Sequence, residues 1–157
     1  MKQLRLFLII SVLFLIACTN GIVGIENSEK QGPFLVTNAV DGDTLDINTT
    51  ERIRLSGINT PEKGECYYQE AKDKLKGLTV NKEVYIEKDR TDIDKYGRLL
   101  RYIYQEDQLI NGILVEQGYA RVYDKYKDDT KRYLQLKRLE DTAKEFKKGV
   151  WSCPESL

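Results

Sequence analysis

The chain has 157 residues, 41% hydrophobic and 32% charged, a balance that fits one globular domain and excludes a disordered chain or a multi-span membrane protein. Its 25 Lys+Arg and 25 Asp+Glu cancel, so any positive surface for a polyanion must be local. Histidine is absent, which excludes Ser-His-Asp and Cys-His machinery, His-ligated zinc and an imidazole base, and leaves carboxylates, cationic side chains, hydroxyls, Cys or a hard metal ion.

Lys2 and Arg5 form a short basic start, and Leu6 to Ala17 is an apolar run broken only by Ser11. That run is too short for a membrane-spanning helix and fits the core of a signal peptide. It ends in Leu15-Ile16-Ala17-Cys18, which resembles a bacterial lipobox with Cys18 as the lipidated residue. An ordinary signal peptide or a membrane anchor is the alternative. Residues 1–17 are thus expected to be a lipoprotein signal peptide, 18–32 the lipidated cysteine and a small, polar tether, and 33–157 the domain. Cleavage leaves 140 residues with 23 basic and 25 acidic groups, a net charge of −2. The expected location is the cell envelope, outside the cytoplasm and anchored to a membrane by lipid.

With Cys18 used by the lipid, Cys66 and Cys153 remain, an even number in an oxidising compartment. A disulfide would tie the start of the first helix to the C-terminal tail; two free thiols are the alternative.

The first strand is predicted at Phe34 to Val40, with Phe34, Val36 and Asn38 alternating. Asp41-Gly42 signals a turn, and Thr44 to Ile47 continues as the second strand. The third, Glu51 to Ile58, puts Ile53 and Leu55 on one face and Arg52 and Arg54 on the other. A helix follows at Cys66 to Leu78, with Tyr67, Ala71, Leu75 and Leu78 at helical spacing. Strands at Glu83 to Lys88 and Arg98 to Tyr104 flank a polar turn, Asp94 to Gly97. A short helix over Leu109 to Gln117 ends at Gly118. Val122 to Tyr126 is read as extended, and the last helix as Thr130 to Lys148, with Asp129 at its start and Gly149 at its end. This order predicts an α+β fold, a five-stranded OB-type Greek-key barrel packed with about three helices.

Three segments carry chemistry: Asp41-Gly42-Asp43-Thr44, Arg52 through Glu62, and Asp94-Lys95-Tyr96-Gly97-Arg98. Without histidine, negative charge that builds on a substrate under attack must be met by a metal or by arginines. Arg54 and Arg98 each offer a planar fork for two phosphate oxygens. Asp43 is the best candidate for a Ca²⁺ ligand, while Asp41 and Gly42 make the turn. An EF-hand is excluded, since counting from Asp41 puts Asp46 where glycine is needed and Arg52 where the bidentate glutamate is needed.

Together, these segments resemble the staphylococcal nuclease family. Their order and intervals match, as do Leu114 to Gly118 and the terminal Gly149-Val150-Trp151-Ser152, so that the resemblance covers Pro33 to Ser152. It implies a calcium-dependent phosphodiesterase, an endonuclease that hydrolyses DNA and RNA with little sequence preference. Single strands would be preferred and 3′-phosphate ends would result. It implies Asp43, Asn59 and Thr60 at the metal, Thr60 through its carbonyl, Glu62 on the attacking water, and Arg54 and Arg98 on the phosphate. Lys95, Tyr96 and Tyr126 would line the nucleotide pocket, and a monomer is expected.

Two departures stand out. The family usually has aspartate where this chain has Asn59, which removes one negative charge from the metal site. It has tyrosine where alignment places Asp124; Tyr123, one position away, is the candidate substitute. From Arg121 to Lys148 there are ten basic and six acidic residues, a local excess that suits either a nucleic-acid backbone or a solvated helix face. The rival readings are a nucleic-acid-binding barrel with a degraded active site and a surface lipoprotein that reuses the barrel as a scaffold for a protein partner.

Overall fold

A computed structural model describes residues 30–48 and 51–154. The expected signal peptide, Cys18 and the tether up to residue 29 lie outside the described residues. Among the described residues, no helix is long and apolar enough to cross a membrane.

Five strands form the barrel: β1 (Gln31–Ala39), β2 (Thr44–Ile47), β3 (Glu51–Leu55), β5 (Glu83–Ile93) and β6 (Leu99–Gln105). The sheet runs β3-β2-β1-β5-β6, every one of these pairs is antiparallel, and a parallel pairing of β3 with β6 closes it. Closure removes the exposed edges that such short strands would otherwise present. A two-residue strand β7 (Gln108–Leu109) folds back on β6, and a separate pair joins β4 (Ile58–Asn59) to β8 (Arg121–Val122). Among the described residues, three α-helices pack around the barrel: α1 (Tyr68–Thr79), α2 (Ile110–Glu116) and α3 (Tyr133–Glu145).

The core is filled by Val36, Leu45, Ile47, Ile53, Leu55, Val84, Ile86 and Ile103 from the strands, with Leu75, Leu114 and Leu136 from the helices. β2 and β3 supply alternate residues to this core, Leu45 with Ile47 and Ile53 with Leu55, whereas β6 buries Tyr102, Ile103 and Tyr104 in succession.

Several predicted boundaries move. β1 starts at Gln31, before the expected domain boundary. Its register shifts between Val36 and Asn38, so Val36 and Ala39 point inward. Asn38 is exposed instead and donates to Asp46, because the bulge breaks strict alternation. The third predicted strand is two strands: β3 ends at Leu55, Gly57 turns the chain with φ 74°, and Ile58–Asn59 joins β4. β5 runs on to Ile93 by way of a second irregularity after Lys88.

Helix α1 begins at Tyr68 because Tyr67 takes the left-handed conformation, φ 71°. Only Arg121–Val122 of the region around Val122 to Tyr126 is strand; Asp124–Asp129 is a 3-10 helix. Asp129 does not cap the last helix: its carboxylate accepts a hydrogen bond from Thr91. Gly149 opens a 3-10 turn, Gly149–Trp151, and Lys147 takes the left-handed position after α3.

Candidate active site

One mouth of the barrel opens into a cleft of about 540 Å³. Of the residues singled out from sequence, it is lined by Asp43, Arg54, Asn59, Glu62, Lys95, Tyr96, Arg98, Tyr123 and Tyr126. Elements far apart in the chain supply them: the β1–β2 turn, β3, β4, the loop before α1, the β5–β6 turn and the segment before α3.

Asp43 forms the floor, with only 5% of its surface exposed. The Asp41 carboxylate accepts its N–H at 3.0 Å, the hydrogen bond of an aspartate turn. Oδ2 of Asp43 accepts the N–H of Thr60 at 2.8 Å and its hydroxyl at 3.0 Å; Oδ1 accepts from the Thr44 hydroxyl at 3.2 Å. Gly42 makes this closeness possible, since a Cβ there would lie 2.8 Å from the Thr60 hydroxyl oxygen. Burial pushes the Asp43 carboxyl above its ordinary value; the Arg54 charge opposes this, and the Asp41 charge adds to it.

Arg54 bridges the floor and one wall. Its Nη2 is 3.0 Å from Asp43 Oδ2 and donates to Asn59 Oδ1 at 2.9 Å, while Nη1 donates to the Leu55 carbonyl at 3.1 Å. The guanidinium therefore holds both side chains that the sequence offers as metal ligands. Thr60 lies buried beneath the cleft; its N–H and hydroxyl, rather than its carbonyl, make the bonds seen here.

Arg98 is set by Asp94, which sequence reasoning left without a role. Asp94 Oδ2 accepts Arg98 Nε–H at 2.7 Å, and Oδ1 accepts the backbone N–H groups of Tyr96 and Arg98. Burial would raise the Asp94 carboxyl, but these N–H donors and the Arg98 charge more than offset it and hold it below its ordinary value. An acid four residues before Arg98 in a glycine turn was the available signal. The Arg98 guanidinium lies over the Tyr96 ring, 5.5 Å from its centroid, and Lys95 lies over the same ring at 4.8 Å.

Tyr123 and Tyr126 meet edge to face with centroids 5.6 Å apart. Lys125, not singled out from sequence, also lines the cleft, with Nζ 5.6 Å from the Tyr126 centroid. Asp124 faces the other way and accepts from the Tyr133 hydroxyl at 2.9 Å. Tyr123 thus supplies the aromatic surface on this wall. Glu62 is exposed at the rim, and among the described residues its carboxylate has no hydrogen-bond or ion-pair partner.

Asp43, Asn59 and Thr60 offer hard oxygen donors, which suit a hard divalent ion. Only Asp43 among these three is charged. Among the described residues, no group of three His, Cys, Asp or Glu side chains stands together as a metal-binding set. The donors fit such an ion by chemistry, with the low charge of a weak site.

The model of the family described as "Staphylococcal nuclease homologue" matches residues 52–153. The chain belongs to the staphylococcal nuclease family. It is 33% identical over 133 residues to a micrococcal nuclease of Shigella flexneri, covering 77% of this chain and 74% of that one. A thermonuclease of Staphylococcus hyicus is 29% identical over 138 residues, covering 82% and 80%. A thermonuclease of Staphylococcus intermedius is 32% identical over 127 residues, covering 75% of each. The matched span of this staphylococcal nuclease family member includes both cleft arginines, Glu62 and the whole β5–β6 turn.

Proposed function

We propose that the protein is an exported, lipid-anchored endonuclease that hydrolyses phosphodiester bonds of DNA and RNA in the presence of Ca²⁺. The observation that carries this reading is the meeting of Arg54, Arg98 and Glu62 in one cleft of a staphylococcal nuclease family chain.

The phosphate enters between the two arginines. Arg98 presents its Nη donors, which have no partner among the described residues, Arg54 presents its own on leaving Asp43 and Asn59, and the two charges oppose the negative charge that builds during attack. Glu62, at the rim, accepts a proton from the attacking water and orients it. The 5′-oxygen leaves and the 3′-phosphate remains. Asp43, Asn59 and Thr60 would hold Ca²⁺, which supplies further positive charge beside the phosphate. Tyr96, Tyr123 and Tyr126 offer faces for bases, so single strands, whose bases are free to stack, are preferred. Little sequence preference follows, since stacking and phosphate contacts carry no base code. The enzyme acts as a monomer.

Asn59 favours a second reading, a barrel that binds single strands with little cleavage. The two separate cleanly on heat-denatured DNA. The detergent-solubilised full chain is expected to cut it with Ca²⁺, to stop with chelator, and to lose about 10² to 10³ in kcat as Glu62→Gln. Binding without cleavage in Ca²⁺, Mg²⁺ or Mn²⁺ across neutral to alkaline pH would establish the second reading. The anchor has its own test: Cys18→Ala should move the protein from the membrane pellet to the soluble fraction.

A further inference from the structure

The Glu62 carboxylate has no side-chain partner among the described residues, so its aim depends on its backbone. Upstream, that backbone is fixed by Thr60, which is buried and bonded to Asp43. Downstream, every residue from Glu62 to Cys66 is exposed, so packing does little to hold the loop. Two features hold it instead. Glu65 accepts the Glu62 N–H on its carboxylate at 2.7 Å and returns its own N–H to the Glu62 carbonyl at 2.9 Å. Cys66 is then bonded to Cys153, 87 residues away.

The far end of that crosslink is firmly seated. Cys153 follows the Gly149–Trp151 turn, where Val150 is 3% exposed and its N–H donates to the Gly118 carbonyl at 2.8 Å. There the two backbones approach so closely that a Cβ on Gly149 would strike the Gly118 carbonyl. Gly118 closes α2, which is packed in the core through Ile110, Leu114 and Val115. The disulfide therefore carries the rigidity of the α2 end to the loop that presents Glu62.

We propose that the Cys66–Cys153 disulfide is a positioning device for Glu62, so that the enzyme reaches full activity only when this bond is formed. The proposal rests on the reading of Glu62 as the residue that handles the attacking water. Neither cysteine belongs to the barrel core, and Cys66 is exposed to a reductant. A dithiol opens the bond by thiolate attack: two electrons and two protons pass to the protein, giving two cysteine thiols and the reagent's own disulfide. Among the described residues the loop then keeps its Glu65 hydrogen bonds and, one residue past Cys66, the Tyr67 ring beside Tyr119 at 6.2 Å between centroids, but no covalent tie to the C-terminal turn. A chain in a reducing compartment is thereby held in its weak form until it reaches an oxidising one.

The experiment compares the oxidised full chain, in detergent, with the same chain after a phosphine reductant, at low temperature and with circular dichroism recorded alongside. Reduction transfers two electrons from the phosphine, which leaves as its oxide with an oxygen from water. The expected result is a loss of about ten- to a hundredfold in kcat at nearly constant KM, the scale on which misplacement of a catalytic group acts. Amide exchange should quicken at Glu65 and Tyr68 and stay unchanged at Leu55 and Val36. Cys66→Ser and Cys153→Ser should match the reduced protein, and the double variant should be indifferent to reductant. A reduced, folded protein with the oxidised kcat would overturn the proposal. So would global unfolding on reduction, because the bond would then act on the whole fold. If the oxidised chain cuts nothing, the nuclease reading fails; amide exchange then decides, and uniform exchange across loop and barrel overturns the positioning of the loop.

Discussion

Arg54 and Asp43 are ion-paired at 3.0 Å on the floor of the cleft, and the same Arg54 nitrogen donates to Asn59. A divalent ion bound by Asp43 and Asn59 must share these oxygens with a guanidinium. Two cations there would repel, and an ion held by Asp43 and Asn59 would favour Arg54 turning from its carboxylate toward a phosphate. By the resemblance, the chain carries one acid fewer here than the family usually does, which would lower the attraction for such an ion.

Asn59→Asp should restore that charge. The Ca²⁺ concentration for half-maximal cleavage is expected to fall about tenfold, because ligand charge tunes calcium affinity over decades. Calorimetric titration of the variant with Ca²⁺ checks the affinity apart from activity. An unchanged titration would mean that Asn59 does not face the ion.

Asp94→Ala should act on Arg98 without touching substrate. It removes the Nε–H acceptor and the acceptor of two turn N–H groups. We expect kcat/KM to fall about tenfold and stability to fall by about 2 kcal/mol, since three part-exposed hydrogen bonds of up to about 1 kcal/mol each are lost and water replaces them in part. Asp94→Asn, which can still accept from the turn, should recover most of the stability. Denaturant midpoints and initial rates separate the two effects.

Lys125→Ala tests the wall beside Tyr126. Lys125 lines the cleft, and among the described residues it has no ion-pair partner, so its charge is available to a flanking phosphate. Loss of one phosphate contact lowers the slope of log K against log salt by about 0.7 for a single strand. Binding of labelled oligodeoxynucleotide by inactive Glu62→Gln, measured across salt concentrations, should show that reduction.

Glu140 gives the fold a dependence on pH. It is 2% exposed; Oε1 accepts the Val122 N–H at 2.8 Å, and Oε2 receives Lys137 and Lys144. Burial would raise its carboxyl, but Lys137, the Val122 N–H and Lys144 more than offset this and hold it below its ordinary 4.5. A depressed folded value stabilises the protein fully above the unfolded value, and that contribution fades as pH falls through the folded one. Glu140→Gln keeps an oxygen for the Val122 N–H but loses the charge that meets the partly exposed Lys137 and Lys144, and should cost about 1 kcal/mol at neutral pH. The difference in Tm between wild type and variant should be widest above about pH 5 and narrow in acid. A constant difference would show that the charge is not what matters.

Local patterns in the chain determine much of this molecule. Alternating residues in Thr44 to Ile47, the helical spacing of Ala71, Leu75 and Leu78, and the turn Asp94 to Gly97 each depend on neighbours a few positions away. For that reason the order of elements and the OB-type barrel are legible from local pattern, while most residues of the cleft are reached through the resemblance to the staphylococcal nuclease family. The closing pair, β3 with β6, is not, because it joins residues more than forty positions apart through backbone hydrogen bonds that leave no side-chain pattern. The β1 bulge is likewise set by its partner strands, and it turned Asn38 outward. Asp124 and Tyr123 are adjacent in sequence, yet the 3-10 helix sends one to Tyr133 and the other into the cleft. Glu140 is one charged residue among many on a helix until β8 places a bare N–H against it. What the sequence determined is local conformation, which short-range sterics and spacing decide; what the tertiary structure decided is which distant groups meet, because those contacts exist only after the barrel has closed.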